Sequence, residues 1–318
     1  MNICVVGAGA IGGWVAAKLA LAGKEVSVLA RGDTLRLVHA EGLRLEENGE
    51  EFVASVESSN DCAALGPQDV LFVAVKAPAL PPLASEIRPL IGSQTTIVPM
   101  LNGVPWWFVE GMQLKSVDPQ GSIAAALPFE QVIGCVVHAS CHRSAPNRIH
   151  VKHAEKLIIG EPGGAETSKR LGRLFALLDE AGLKPDVTGN VRRAIWYKLW
   201  GNATINPLSA LTRATCDHIL ADAECRAWML EGMAELAAIG ALVGCPISES
   251  GEDRMAVTAR LGAFKTSMLQ DVEAGRPIEL EALVGAPREI ARARGIATPA
   301  LDRLYGVTKL MAETLGLG

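Results

Sequence analysis

A lysine and two asparagines are spaced so that they fall on one face of a helix. Lys198, Asn202 and Asn206 lie four residues apart within the stretch from Arg192 to Thr212, whose apolar residues recur at helical spacing. Each residue of a helix turns by about 100°, so the three polar side chains form a slowly drifting stripe. This stripe indicates a functional site, because a buried ammonium needs a carboxylate, a ligand or water beside it. A solvated helix edge with a snorkelling lysine is the ordinary alternative.

Two later carboxylates could be the partners of Lys198. Asp271 and Glu279 both lie in the helical second half of the chain. Each also has a local explanation, because an early glutamate stabilises a helix N-terminus and Asp271 could pair with Lys265 or Arg276. The sequence alone leaves both interpretations open.

A glycine-rich turn near the start of the chain is typical of dinucleotide-binding proteins. The residues from Asn2 to Val6 predict a strand, those from Trp14 to Ala22 a helix, and those from Lys24 to Ala30 a second strand. The turn after the first strand consists of Gly7, Ala8, Gly9, Ala10, Ile11 and Gly12. Strand, glycine turn, helix and strand in this order form the context that the G-x-G-x-x-G fingerprint requires, so the sequence predicts a Rossmann fold.

Each glycine of this turn has a separate role in the predicted cofactor site. Gly7 permits the tight turn, Gly9 lets the backbone approach a pyrophosphate, and Gly12 lets the helix pack on the strand. The phosphates are expected at the helix N-terminus, where free N–H groups and the helix dipole favour anions.

The end of the second strand favours NADP(H) over NAD(H). An NAD enzyme usually has an acidic residue there for the ribose 2′-hydroxyl. This chain has Ala30 and Arg31 instead, and a guanidinium pairs well with a 2′-phosphate. The alternative is that Arg31 is a surface charge and Asp33 is the ribose ligand.

Polar side chains follow two further predicted strands. Lys76 comes directly after the apolar run from Asp69 to Val75, and Asn102 follows the strand from Thr95 to Leu101. Ligands of doubly wound folds bind at the carboxyl ends of strands, so both residues are candidates for the cofactor site and Asn102 also for the substrate site. A turn built on Asn102 and Gly103 is an equally good explanation of that asparagine.

The pattern of strands and helices predicts two domains in 318 residues. Residues 1–189 read as an α/β Rossmann domain, and residues 190–318 as an all-α domain, because the strand pattern stops after Gly189. The remaining expected elements of the first domain are strands 53–56, 132–140 and 184–188, a hairpin formed by 148–153 and 156–160, and a helix 168–181. In the second domain helices are expected over 222–243, 252–273, 279–294 and 299–315. Ser248 and Ser250 are candidate N-caps of the second of these helices, and Thr298 is the expected N-cap of the last.

Composition excludes several classes of function. A net charge of −5 argues against a general nucleic-acid binder, and no run of eighteen apolar residues predicts a membrane span. Seven cysteines without metal-ligand spacing fit reduced thiols in a cytoplasmic protein, and no metal site is expected.

A long connection over residues 105–121 contains three adjacent aromatic residues, Trp106, Trp107 and Phe108. Core packing is the default interpretation of these side chains, and a pocket wall or a partner surface is the alternative.

Taken together, these motifs resemble the ketopantoate reductases (2-dehydropantoate 2-reductases) over nearly the full length. The matching segments are GAGAIG at 7–12, Arg31, Lys76 after VAV, Asn102-Gly103, KLWGNATINPLSALT at 198–212 and SMLQDVEAGRPIEL at 267–280. The resemblance implies an N-terminal Rossmann domain, a C-terminal helical domain and NADPH-dependent reduction of a 2-oxo acid.

The resemblance also implies roles for individual residues. Lys198 corresponds to the catalytic lysine and Glu279 to its partner. Asn202, Asn206 and Ser267 correspond to positions that hold the substrate's carboxylate and hydroxyl groups. Lys76 and Asn102 correspond to positions near the nicotinamide.

Two departures from the family and two rival functions bear on this expectation. The 105–121 connection is longer than in short family members, and residues 263–266 precede SMLQD where relatives often have an asparagine.

Two rival functions are compatible with the same motifs. A reductase of another 2-oxo or 3-hydroxy acid would use the same residues. A non-catalytic NADP(H) sensor would keep the glycine turn without needing the lysine and asparagines. A homodimer is compatible with this class of protein.

Overall fold

In the computed structural model, which describes residues 1–260 and 262–317, the chain forms two units. The first unit contains Met1–Leu101 and Ser122–Val191, and the second contains Asn102–Gly121 and Arg192–Gly318. The domain boundary expected after residue 189 lies close to the later of these junctions. The segment from Asn102 to Gly121, which we expected in the Rossmann domain, groups with the helical unit instead.

The first unit is built on two sheets. Its strands are β1 (Ile3–Val6), β2 (Val26–Leu29), β3 (Leu43–Glu47), β4 (Glu50–Ala54), β5 (Glu57–Ser59), β6 (Gln68–Val73), β7 (Ile91–Pro99), β8 (Gly134–Ala145), β9 (Arg148–Gly160) and β10 (Pro185–Val187). The first sheet has the order β5-β2-β1-β6-β7, and its neighbouring strands are all parallel. Counted along the chain within this sheet, that is the order 3-2-1-4-5 of a Rossmann fold, so the predicted fold class is confirmed.

Helices cover this sheet and make up the second unit. Those of the first unit are α1 (Ala10–Leu21), α2 (Gly32–Glu41), α3 (Cys62–Leu65), α4 (Leu80–Ala84), α5 (Ser122–Ala126) and α6 (Lys169–Glu180). α7 (Val191–Thr212) starts at the last residue of the first unit and otherwise belongs to the second. The further helices of the second unit are α8 (Cys216–Ala221), α9 (Ala223–Leu242), α10 (Gly251–Ala259), α11 (Ser267–Glu273), α12 (Ala286–Ala293) and α13 (Pro299–Thr314). Every residue of β1 and β2 is buried, as expected for parallel strands covered on both faces. Among the described residues, no helix combines the length and the apolar character that a membrane span requires.

The second sheet differs from the sequence expectation. Its path is β10-β9-β3-β4, with β8 paired to β9. The hairpin expected from residues 148–153 and 156–160 is wrong, because β9 runs unbroken through both segments and pairs antiparallel with β8. Register shifts after His138 and Ser140 interrupt the alternation of side chains along this pair, which obscures the strands in the sequence. The strand expected at 53–56 overlaps β4 only at Val53 and Ala54, and β4 forms a hairpin with β3 around Asn48 and Gly49.

Two helices of the second unit also differ from expectation. The single helix predicted over 252–273 is divided into α10 and α11. Gly262 adopts a φ of +63°, which favours glycine, and the Thr266 side chain caps α11 by accepting the N–H of Leu269. Leu261 lies outside the described residues. Ser250 caps α10 as expected, in a capping box with Asp253. A π-helical turn, Glu281–Gly285, precedes α12, and Glu279 stands just before it.

A buried ion pair ties the end of β9 to α6. The Glu161 carboxylate accepts hydrogen bonds from the Ser168 hydroxyl at 2.6 Å and from the Arg170 guanidinium. Burial alone would raise the pKa of Glu161, but the hydrogen bonds from Arg170 and Ser168 and the charge of Arg170 outweigh it and lower the pKa below its usual value. The ionised carboxylate therefore stabilises the folded state.

We expect Glu161→Gln to lower the melting temperature at pH 7 by several degrees, because Arg170 loses its counter-charge. A lowered folded-state pKa contributes stability that is present above the unfolded pKa, about 4.3 for glutamate, and lost as pH falls through the folded value. Thermal denaturation from pH 7 to pH 3 should therefore show the gap to wild type narrowing below about pH 4. Glu155→Gln, at an exposed position of β9, is the control and should have little effect. A gap that stays constant down to pH 3 would contradict this account.

Candidate functional site

The glycine turn of the first unit joins β1 to α1 at the point where the sheet order reverses. β1 lies between β2 and β6, so the connections that follow β1 and β6 leave in opposite directions. A Cβ on Gly7, whose φ is +95°, would stand 2.8 Å from Val75. A Cβ on Gly12 would stand 2.0 Å from the Gly7 carbonyl oxygen. Both glycines are therefore required by the packing of the turn against α1 and the end of β6.

Gly9 differs from the other two glycines. A Cβ there would have a carbonyl oxygen of Ala74 at 3.9 Å as its nearest neighbour, so the fold itself leaves this space open. Gly9 is the N-cap of α1, which starts at Ala10, earlier than predicted. The first N–H groups of a helix lack intrahelical acceptors. Open space beside these donors is what a pyrophosphate needs, so the turn fits a dinucleotide.

Arg143 of β8 supports this turn, a role the sequence did not suggest. Its guanidinium donates a hydrogen bond to the Ala8 carbonyl oxygen at 3.2 Å. Arg143 is more than 130 residues from the turn along the chain. No local pattern could have identified it.

The end of β2 carries the residue expected to select the cofactor. Arg31 is the N-cap of α2, its side chain is 64% exposed, and its guanidinium pairs with the carboxylate of Glu86. Asp33, the alternative ribose ligand, lies in the first turn of α2 and pairs with Arg36 at 3.3 Å. Lys76, after β6, precedes a short 3-10 turn, Ala77–Ala79.

A chain of three polar side chains lies in the second unit. The Lys198 ammonium donates to the Asn102 side-chain oxygen at 3.0 Å, and the Asn102 side-chain nitrogen donates to the Glu279 carboxylate at 3.4 Å. Glu279 is only 6% exposed and Lys198 is partly buried. The structure thus brings together three of the residues singled out from the sequence.

The partners of Asn102 dictate how its amide is oriented. An ammonium can only donate hydrogen bonds, and an ionised carboxylate can only accept them. The amide must therefore turn its oxygen to Lys198 and its NH₂ to Glu279, as observed. Asparagine can serve both neighbours at once without adding a charge.

The opposite face of α7 anchors Lys198. Trp196 and Trp200 donate their indole N–H groups to the backbone carbonyls of Leu236 and Met233 on α9, at 3.0 and 2.8 Å. Both rings are at most 2% exposed. These hydrogen bonds hold α7 on α9, and Lys198, midway between the two tryptophans in the sequence, projects from the other side of the helix.

The other polar residues of the predicted site have different environments. Asn206 is buried, Asn202 is partly buried and Ser267, the first residue of α11, is exposed. Asp271 is buried and accepts a hydrogen bond from the Arg276 guanidinium at 3.0 Å. The sequence leaves open whether Asp271 is a partner of Lys198 or pairs locally with Lys265 or Arg276, and the local pair with Arg276 is present.

The tryptophan-rich connection is part of the second unit's core. Trp106 and Trp107 are each 6% exposed, which agrees with core packing and not with an exposed partner surface. Phe108 stacks on Trp196 with ring centroids 5.5 Å apart. The segment is thereby packed directly against α7.

Metal-ligand clusters and disulfides are both lacking among the residues that the structure describes. Among residues 1–260 and 262–317, no group of three His, Cys, Asp or Glu side chains is arranged to hold a metal ion. All seven cysteines lie among the described residues, and none of them forms a disulfide. His138 is a partly buried residue of β8 opposite Lys156 of β9.

Comparison with family models identifies both halves of the chain. The model described as "Ketopantoate reductase PanE/ApbA" matches residues 3–164, and its C-terminal counterpart matches residues 190–312. A 2-dehydropantoate 2-reductase from Mesorhizobium japonicum is 41% identical, covering 99% of this chain and 99% of the relative.

Solved structures agree with the sequence relatives. A provisionally named ketopantoate reductase from Ralstonia solanacearum MolK2 superposes with a TM-score of 0.97 at 50% identity, covering 100% of this chain and 99% of that one. A 2-dehydropantoate 2-reductase from Methylococcus capsulatus gives a TM-score of 0.86 at 30% identity, with 100% and 99% covered. D-mandelate dehydrogenase in a ternary structure with NADH and anilino(oxo)acetate gives 0.87 at 20% identity, covering 99% and 100%, which shows a shared fold alone.

The two kinds of glycine in the turn predict opposite outcomes on substitution. Gly9→Ala should leave the melting temperature nearly unchanged but weaken dinucleotide binding by tenfold or more, because the methyl group occupies the space beside the helix N-terminus. Gly12→Ala should lower the melting temperature strongly, because its Cβ would overlap the Gly7 carbonyl. Thermal denaturation and cofactor fluorescence titration measure the two effects. Unchanged cofactor affinity in a folded Gly9→Ala protein would refute the assignment of the phosphate site.

Proposed function

This chain belongs to the ketopantoate reductase family, and we propose that it reduces 2-dehydropantoate (ketopantoate) to pantoate with NADPH. The family is one of oxidoreductases with a nicotinamide cofactor, and relatives that match along their whole length bear the name 2-dehydropantoate 2-reductase. The observation that carries the proposal is the hydrogen-bonded chain from Lys198 through Asn102 to Glu279.

Reduction of a 2-oxo group requires a hydride on carbon and a proton on oxygen. The nicotinamide, when bound, supplies the hydride. Lys198 stabilises the negative charge that develops on the substrate oxygen and donates the proton from Nζ, so that the ketone becomes an alcohol. The lysine then regains a proton from solvent.

Asn102 and Glu279 hold the ammonium for this step. Asn102 accepts a hydrogen bond from the Lys198 ammonium and so orients it for the proposed proton transfer. Glu279 accepts a hydrogen bond from the Asn102 side-chain nitrogen and so fixes the orientation of that amide from its far side. On this proposal, Asn202, Asn206 and Ser267 bind the substrate's carboxylate and hydroxyl groups and keep the 2-oxo carbon in position.

The proposed cofactor is NADP(H), and Arg31 is its selective ligand. The exposed guanidinium at the end of β2 can bind a ribose 2′-phosphate, and Asp33 is engaged with Arg36. Gly7 to Gly12 would hold the pyrophosphate, and Lys76 and Asn102 the nicotinamide end.

An alternative within the family is a different 2-oxo acid. The chemistry at Lys198 would be the same, and side chains that contact the rest of the substrate would differ. A non-catalytic NADP(H) sensor is less well supported, because it has no use for the lysine, asparagine and glutamate together. A homodimer and a cytoplasmic location stay predictions.

We expect Lys198→Ala to bind NADPH normally and to lose turnover of ketopantoate by about 10²-fold or more. The assay follows NADPH absorbance with ketopantoate beside a panel of other 2-oxo acids. Lys309→Ala, an exposed lysine of α13, is the matched control and should keep full activity. Lysine-dependent turnover of another acid would reassign the substrate, and full activity of Lys198→Ala would exclude the proposed mechanism.

We expect Arg31→Ala to raise the Michaelis constant for NADPH by tenfold or more and that for NADH by less than twofold, because only NADPH carries the 2′-phosphate. Steady-state kinetics with each cofactor at saturating substrate measure the ratio. Equal effects on both cofactors would reject Arg31 as the selective ligand.

A further inference from the structure

The guanidinium of Arg31 already has an anionic partner within the first unit. Arg31 is 64% exposed, and the Glu86 carboxylate, itself 52% exposed, forms an ion pair with it. The two residues are 55 positions apart in the chain, so the pair depends on the fold. Glu86 therefore binds the guanidinium that the proposed function assigns as the ligand of the ribose 2′-phosphate.

The backbone on both sides of this pair is fixed. Ala30 donates its N–H to Ser59 of β5 at 3.0 Å, which anchors the residue before Arg31. Glu86 donates its N–H to Leu83 at 3.0 Å, and the next residue, Ile87, is fully buried. The carboxylate thus reaches Arg31 from a rigid turn after α4.

Other acidic groups near Arg31 are engaged elsewhere. Asp33 pairs with Arg36. Asp61 accepts the N–H groups of Ala63 and Ala64 and so caps α3. Among the residues that the structure describes, Glu86 is the carboxylate that forms an ion pair with Arg31.

A neighbouring thiol experiences the same charges. Burial raises the pKa of Cys62, the charges of Glu86 and Asp61 raise it further, and the charge of Arg31 lowers it. Arg31 and Glu86 therefore both lie close to the Cys62 thiol, just after β5. A phosphate bound to Arg31 would lie near the Glu86 carboxylate and be repelled by it.

We propose that Glu86 competes with the 2′-phosphate of NADPH for the Arg31 guanidinium and thereby sets how strongly the protein prefers NADP(H) to NAD(H). The inference rests on the proposed cofactor assignment. The 2′-phosphate of NADPH must displace Glu86 from Arg31, and the negative charge of Glu86 then repels it. The 2′-hydroxyl of NADH carries no charge and does not have to displace Glu86. Glu86 is thus a specificity-determining residue that acts through Arg31.

The size of the effect follows from the exposure of the pair. An exposed ion pair shifts an equilibrium by about fivefold at most. Repulsion between the carboxylate and the phosphate adds to this at low ionic strength. We therefore expect Glu86→Gln to lower the dissociation constant of NADPH by roughly two- to tenfold.

The test measures binding to the full-length protein without substrate. Cofactor fluorescence gives dissociation constants for NADPH and NADH, and displacement by 2′,5′-ADP and 5′-AMP isolates the 2′-phosphate. Glu86→Gln should tighten NADPH and 2′,5′-ADP, and should change NADH and 5′-AMP by less than twofold. Glu180→Gln removes an exposed carboxylate that pairs with Lys24 in the same unit, and it should change none of the four.

The double variant separates competition from simple repulsion. In an Arg31→Ala background, Glu86→Gln should improve NADPH binding by less than twofold, because there is no guanidinium to release. The proposal would be overturned if Glu86→Gln gave its full gain in NADPH affinity in the Arg31→Ala background. It would also be overturned if Glu86→Gln alone left NADPH affinity unchanged or weakened the binding of NADH. If Arg31→Ala alone leaves the preference for NADPH unchanged, the cofactor assignment itself fails. If Arg31→Ala abolishes that preference while Glu86→Gln changes nothing, only this inference fails.

Discussion

The hydrogen-bonded bridge through Asn102 is the constraint on which the helical unit depends. Glu279 is almost fully buried, and a buried carboxylate is costly unless hydrogen bonds and a counter-charge compensate it. Asn102 donates to it and accepts from Lys198, although 177 residues separate Asn102 from Glu279. Through these two contacts Asn102, although it follows a strand of the Rossmann sheet, is joined to residues of the second unit.

The segment 102–121 is held in that unit at several points. A Cβ on Gly103 would stand 2.4 Å from the Ala282 carbonyl oxygen, so only glycine, here with a φ of +81°, lets Asn102 approach the turn after Glu279. Glu289 of α12 accepts the backbone N–H groups of Lys115 and Ser116 at 2.8 Å each. Together with the stacking of Phe108 on Trp196, these contacts give Asn102 a rigid base.

Features that depend on local spacing were predictable from the sequence, and features that depend on distant contacts were not. The glycine turn and the α7 stripe follow from residues close together in the chain, so both were located correctly. The order of Lys198, Asn102 and Glu279 required tertiary contacts, and the sequence offered only unordered candidates. The β3–β4 hairpin was missed although Asn48 and Gly49, both with positive φ, are a recognisable type I′ turn signal.

The first unit would recognise its cofactor by two physically different means. The N–H groups beside Gly9 are neutral donors with open space around them, and any dinucleotide presents a pyrophosphate to them. Arg31 instead offers a full charge that already has a partner in Glu86. On the proposals made above, binding common to all dinucleotides would come from a preorganised backbone, whereas discrimination would come from an exchange of anions on one guanidinium. Such an exchange makes cofactor preference adjustable by a single surface residue, without altering the turn that every nicotinamide cofactor needs.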